Sequence, residues 1–195
     1  TGGVHVLKDL AMTSPKHTQK CIDMMCSLNE AWMQDILKIN EDFFSKRDWV
    51  NQKITSEYLE KFSIKSTEAL IKQISLSQVV IKHLAFLIEH ISNNDTFSEG
   101  YDLSYKYLCS IRLSIINWKK FNLENIFLIG ADLQRADLRE VQMYLGKLQN
   151  ADLSFANLKG SNLSLSEFHG ANLSNSEIEG AALFNTKFEG ANLTG

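Results

Sequence analysis

Residues 131–195 read ADLQR ADLRE VQMYL GKLQN ADLSF ANLKG SNLSL SEFHG ANLSN SEIEG AALFN TKFEG ANLTG, thirteen blocks of five with no slip of register. The middle residue of every block is large and apolar, from Leu133 and Leu138 through Met143 and Phe168 to Leu193. Two places earlier the residue is small (Ala, Ser, Gly or Thr), with Val141 the exception. A helix repeats its apolar residues every three or four positions and a strand every two, so neither has a period of five. A strict five needs a chain that turns at a fixed interval and sends one large side chain per segment into a common core. Four segments closing a square make a coil of about twenty residues, and coils stack at the strand spacing of about 4.8 Å. The large residue fills the axis and the small one sits inward at a corner. The polar residue between them, such as Asp132, Asp152 or Asn172, points out. Stacked coils bury a continuous core that one coil alone could not.

A leucine-rich horseshoe needs a longer period with LxxLxL inside it, which is absent. The pattern A(D/N)LXX, held through all thirteen blocks, resembles the pentapeptide-repeat family. The resemblance implies a right-handed quadrilateral β-helix with short strands and tight β-turns. It implies no single activity, because the family's functions sit on coil surfaces.

The same frame runs backward as IFLIG, FNLEN, INWKK, IRLSI, KYLCS and YDLSY, centred on Leu128, Leu123, Trp118, Leu113, Leu108 and Leu103. The inward corner residues there are Tyr101, Lys106, Ile111, Ile116, Phe121 and Ile126, all too large for a regular corner. Residues 116–130 therefore read as an atypical first coil that widens to accept another domain. Over 101–115 a helix also fits, through Tyr101, Leu108, Ile111 and Ile115.

The preceding half is helical in pattern. Residues 4–12 form a short amphipathic helix, ended by Thr13-Ser14-Pro15. Ser14 suits an N-cap and Pro15 the first turn of the next helix. Residues 15–38 carry Cys21, Met24, Met25, Leu28, Trp32 and Ile36 on one face. Residues 41–53 are ambiguous, with Phe44 and Trp49 forming either a second small core or a covering loop. Residues 55–74 read as helix. Ser75 and Gln78 suit a capping box before the most apolar helix, 76–91, which ends at Asn93-Asn94-Asp95. The stretch VHVLKDLAMTSPKHTQKCIDMMCSL resembles the helix, S-P-K, helix segment that precedes the repeats in many members of the same family. It points to a bacterial protein. The expected organisation is α+β: an α-helical domain over 1–98 and a pentapeptide-repeat solenoid over 101–195, atypical in 101–130 and regular from 131.

A net charge of −3 gives no strong pull toward nucleic acid or acidic lipid. The longest apolar run, residues 84–88 (LAFLI), is too short to span a bilayer. Three cysteines (Cys21, Cys26, Cys109) without paired spacing indicate a reducing compartment. No His/Cys group has metal-ligand spacing, and no cofactor is expected. The chain begins TGGV rather than with Met, as an excised piece would. It stops at ANLTG in mid-pattern, so an open apolar axis is expected near Phe188 and Leu193. Either the native chain continues, or two chains meet end to end as a homodimer through the C-terminal coil.

Blocks four apart share a face. VQMYL, SNLSL and AALFN then present Tyr144, Leu145, Leu165 and Phe184 outward, with Phe155 at the corner of a neighbouring face. A patch of this kind on a soluble protein marks a contact surface. The expected function is a non-enzymatic scaffold that presents solenoid faces to a protein partner. An alternative is a DNA mimic acting on a topoisomerase such as gyrase, which needs a strongly acidic coil. Residues 131–195 hold eight acids against five bases, and Arg135, Arg139 and Lys147 interrupt the acidic surface. An enzyme built on His17, Glu30, Glu41, Asp42 and Asp48 lacks any spacing that joins them into a dyad or triad. The Asn/Ile/Lys/Ser-rich composition points to an AT-rich bacterial genome, with a cytoplasmic protein or one secreted into a host cell as an effector.

Overall fold

The computed structural model describes residues 2–39, 42–45, 47–50, 53–62, 64, 68–94, 100–119 and 121–195. Among the described residues five helices come first: α1 (Gly2–Thr13), α2 (Pro15–Ile39), α3 (Asp42–Ser45), α4 (Ser56–Glu60) and α5 (Glu68–Ser92), with a 3-10 turn at Arg47–Val50. α1, α2 and α5 pack on one another. Pro15 opens α2 as expected. Ser14 does not cap it through its side chain, because its hydroxyl lies 2.8 Å from His17 Nδ1. Thr18 instead ties the two helices, its buried hydroxyl donating to the Ala11 carbonyl at 2.9 Å.

The buried stripe of α2 is Cys21, Ile22, Met25, Cys26 and Met33, while Met24 and Leu28 remain 47% and 45% exposed. The expected face is thus rotated, because α2 must meet α1, α5 and the solenoid together. The side chains of Trp32 and Ile36 lie outside the described residues. Phe43, Phe44 and Trp49 are fully buried and pack edge-on or tilted, with Phe43 also against Tyr58 and Phe62. They join the same continuous core as the other helices and the solenoid and do not form a separate one. Thr55 caps α4 by accepting from the Tyr58 amide at 3.1 Å. The break expected at Ser75 does not occur. α5 runs straight through it, the Ser75 hydroxyl donates back to the Ile71 carbonyl at 2.9 Å, and Gln78 donates its amide to the Trp49 carbonyl.

From Tyr101 onward every β-contact is parallel and joins residues twenty apart, beginning with Tyr101↔Phe121 and ending with Asn172↔Asn192. Within each coil the chain turns four times, each turn closed by an amide bonding to the preceding central carbonyl, as in Ala131 N to Leu128 O and Ala136 N to Leu133 O. The frame therefore extends back to residue 101, and the helix considered for 101–115 is not formed. Each side of the square is so short that only β1 (Tyr101–Asp102) and β2 (Phe121–Asn122) count as strands; the rest are single bridges. Leu103, Leu108, Trp118, Leu123 and Leu128 fill the axis as Leu133–Phe168 do above them. The oversized corner residues Tyr101, Ile111, Ile116, Phe121 and Ile126 are also buried.

The helical half docks on the first coil through several of its sides. Cys109, Ser110 and Ile129 hold outward corner positions, yet all are buried. The Ser110 hydroxyl donates to the Phe44 carbonyl at 2.6 Å. Lys106 reaches Asp23 at 2.7 Å, Gln19 exchanges two hydrogen bonds with the Asp102 backbone, and Ser92 exchanges two with Asn117. Toward residue 195 the axial residues Leu183 and Leu193 are 36% and 53% exposed.

Candidate functional site: an apolar solenoid edge

Each corner is a turn whose third residue has positive φ: Gly130, Gly160, Gly170, Gly180 and Gly190 at several, Asn125, Asn175 and Asn185 at others. Positive φ at that residue alone defines a type II turn, which favours Gly or Asn. Five corners break the preference with apolar or aromatic side chains: Tyr105, Ile115, Leu145, Phe155 and Leu165 at φ 59°, 65°, 60°, 59° and 60°. The left-handed conformation costs such a residue roughly 1–2 kcal/mol.

Twenty residues per coil fix where these corners lie. Leu145 and Leu165 occupy one site in adjacent coils, in the column Tyr105, Asn125, Leu145, Leu165, Asn185. Tyr144 and Phe184 stand one residue earlier on the same edge. Phe155 is half a coil from Leu145 and therefore belongs to the diagonally opposite edge. The expected single patch of five residues is thus two surfaces. On the leucine edge Tyr144, Leu145 and Leu165 are half-buried and Phe184 is 71% exposed. On the opposite edge Ile115 and Phe155 are exposed, and the Arg135 guanidinium lies 5.7 Å from the Phe155 ring centroid. Tyr105, exposed at the foot of the leucine column, was missed; extending the five-residue frame to its outward positions finds it.

A groove follows the leucine edge, lined by Leu145, Leu165, Glu167, Asn185, Thr186 and Lys187. Its polar wall is a ladder across three coils. Glu167 takes Lys147 at 2.7 Å, Lys187 at 3.2 Å and the Gln149 amide at 2.7 Å. Burial pushes the Glu167 carboxyl up, but the hydrogen bonds and charges of the two lysines outweigh it and hold the group below its ordinary value. Two cations share one anion, so this wall carries excess positive charge.

Other charges on the solenoid form pairs of opposite sign. Arg139 bonds Asp137 through two nitrogens, at 2.8 and 2.7 Å, and lowers the Asp137 pKa. Lys159 meets Glu177 at 3.2 Å and His169 meets Glu189 at 3.0 Å. In the helical half, His17 is bonded to Ser14 and Glu30 to Gln34. Glu41 and the side chains of Asp42 and Asp48 lie outside the described residues. Among the described residues no three His, Cys, Asp or Glu side chains converge as metal ligands. The segment Leu70–Ser92 is long and apolar enough to cross a membrane by length and composition; it also packs on α1 and α2.

Four turns per coil, a register of twenty and one large axial residue per turn define a quadrilateral parallel β-helix. Residues 147–183 and 168–195 match the pentapeptide repeats family, in eight copies. Residues 147–195 are thus pentapeptide repeats. Among solved structures the chain is similar to a pentapeptide repeat protein from the cyanobacterium Cyanothece 51142, with 28% identity over 47% of this chain and 60% of that one, TM-score 0.33. It is also similar to one from the Arabidopsis thaliana thylakoid lumen, with 31% identity over 50% of this chain and 65% of that one, TM-score 0.27. A third is QnrB1, a plasmid-mediated fluoroquinolone resistance protein, with 18% identity over 49% and 66% of the two chains, TM-score 0.32. This chain therefore spans less than two thirds of the length of each. No curated protein matches it in sequence.

Proposed function

We propose that this chain is a non-enzymatic interaction module whose leucine edge binds a protein partner. One comparison within the molecule carries the reading. Apolar residues at outward corners occur on two kinds of edge. Where they are Cys109 and Ile129, they are buried, beside the corner where Ser110 bonds the Phe44 carbonyl of α3. Where they are Leu145, Leu165 and Phe184, the two leucines are only half-buried and the phenylalanine is 71% exposed. The same edge keeps two leucines in a backbone conformation that Asn or Gly would adopt more easily, a local cost of the kind that marks functional positions. The DNA-mimic alternative finds less support, since Asp137, Glu167, Glu177 and Glu189 are each engaged by a neighbouring base.

The test uses a substitution that separates stability from binding. Leu145→Asn/Leu165→Asn places at both corners a residue that accepts positive φ, so the variant should unfold at the same temperature as the parent or higher. Partners captured by cross-linking from bacterial and host-cell lysates should be lost with it. A partner retained by a well-folded double variant would sink the reading. Gyrase supercoiling should be unaffected by the chain; inhibition would favour the alternative.

A further inference from the structure

The helical half contains a pair of imidazoles that the interaction module does not use. His83 Nε2 of α5 lies 3.0 Å from His5 Nδ1 of α1, with ring centroids 4.3 Å apart and planes at 86°. The other nitrogen of His83 is 2.7 Å from the Val79 carbonyl, one turn back along α5. A carbonyl can only accept, so Nδ1 of His83 holds a proton. In the neutral ring the Nε2 lone pair then points at His5. An imidazole backed by a carbonyl in this way is oriented as metal-bound histidines are.

We propose that His5 and His83 form a two-nitrogen site for a divalent first-row transition metal of the zinc class, clasping α1 to α5. Metal–nitrogen bonds of about 2.0–2.1 Å at a tetrahedral angle place two ligand nitrogens about 3.3–3.4 Å apart. The observed 3.0 Å needs a few tenths of an ångström of opening, which small χ rotations provide. Water completes the coordination, since no third protein ligand stands among the described residues. His5 is exposed and His83 half-buried, so the ion enters from solvent. Lys8, one turn along α1 from His5, is paired with Asp9 at 3.4 Å and held over the Phe86 ring. An ion here binds only the folded arrangement of α1 on α5, so it stabilises the helical half by mass action.

The full chain, stripped with a chelator, is titrated with zinc chloride by calorimetry and thermal unfolding. It is compared with His5→Ala, His83→Ala and His17→Ala. The parent and His17→Ala should bind one ion saturably and unfold at a higher temperature when loaded. His5→Ala and His83→Ala should each weaken binding at least tenfold and lose the thermal shift. Cobalt(II) absorption gives a second readout, free of stability effects: the parent's visible bands should vanish in both variants. Absence of saturable binding by the parent means the pair shares only a proton and overturns the proposal. Binding unchanged in both variants overturns it as well.

Discussion

A β-branched side chain at φ 65° on an exposed corner opposes its own backbone, and Ile115 is in that position at 71% exposure. Its side chain has little burial to offset a strain of roughly 1–2 kcal/mol. Ile115→Asn should therefore raise stability by about 1 kcal/mol, read as a higher urea midpoint at unchanged slope. Gly146 is the opposite case. The repeat favours Ala at its position, yet a Cβ there would stand 2.9 Å from Met143 Cγ and 3.2 Å from the Met143 carbonyl. Gly146→Ala should cost about 1 kcal/mol or more through overpacking, measured the same way. At this scale the sequence told inward from outward at every block, because axial residues repeat without exception. It could not tell that outward Cys109 and Ile129 are buried, since the contact made at this corner, Ser110 to the Phe44 carbonyl, is long-range in the chain. It also set Phe155 beside Leu145, an error that counting half a coil removes.

Elements show where pattern reading succeeds and where it fails. The solenoid was legible to the residue because each coil repeats the one below it. The helices were legible in kind and not in limits. Ser75 looked like a cap, but a serine whose hydroxyl bonds back to Ile71 can sit inside α5 without ending it. The column on one face of the solenoid shows how a ladder is built by element rather than by residue. Tyr107 stacks on Phe127 at 4.1 Å, and Lys147, Glu167 and Lys187 continue the column above them. Glu167 is held below its ordinary value in the fold. A carboxyl lowered on folding stabilises above its unfolded pKa and loses that contribution as pH falls through the folded one. Stability should thus start to fall below about pH 4.5, the ordinary glutamate value. Glu167→Gln should flatten the unfolding temperature between pH 5 and pH 3. A variant that follows the parent's acid profile would show that the ladder contributes nothing.

Over the whole molecule, the question is how firmly the helical half is attached to the solenoid. Lys106 occupies a corner where the repeat asks for a small residue, and its stem leads out to Asp23 of α2 instead. Burial lowers its pKa, but the hydrogen bond and charge of Asp23 outweigh this, so the amine stays protonated. Beside it Cys26 is 3% exposed, and burial pushes its thiol up to about 12 despite the lysine. A thiolate is the reactive species, so Cys26 should be inert to iodoacetamide at neutral pH until α2 lifts from the first coil. That makes it a reporter of docking. A partly exposed ion pair contributes up to about 1 kcal/mol, which is about fivefold in the open population. Lys106→Ala should accordingly speed Cys26 alkylation several-fold, followed by mass spectrometry, with hydrogen exchange faster in α2 and unchanged over residues 131–195. Equal acceleration in both halves would mean that helices and solenoid open as one cooperative unit. No acceleration would mean that Ser110, Gln19 and Ser92 hold the joint without the ion pair.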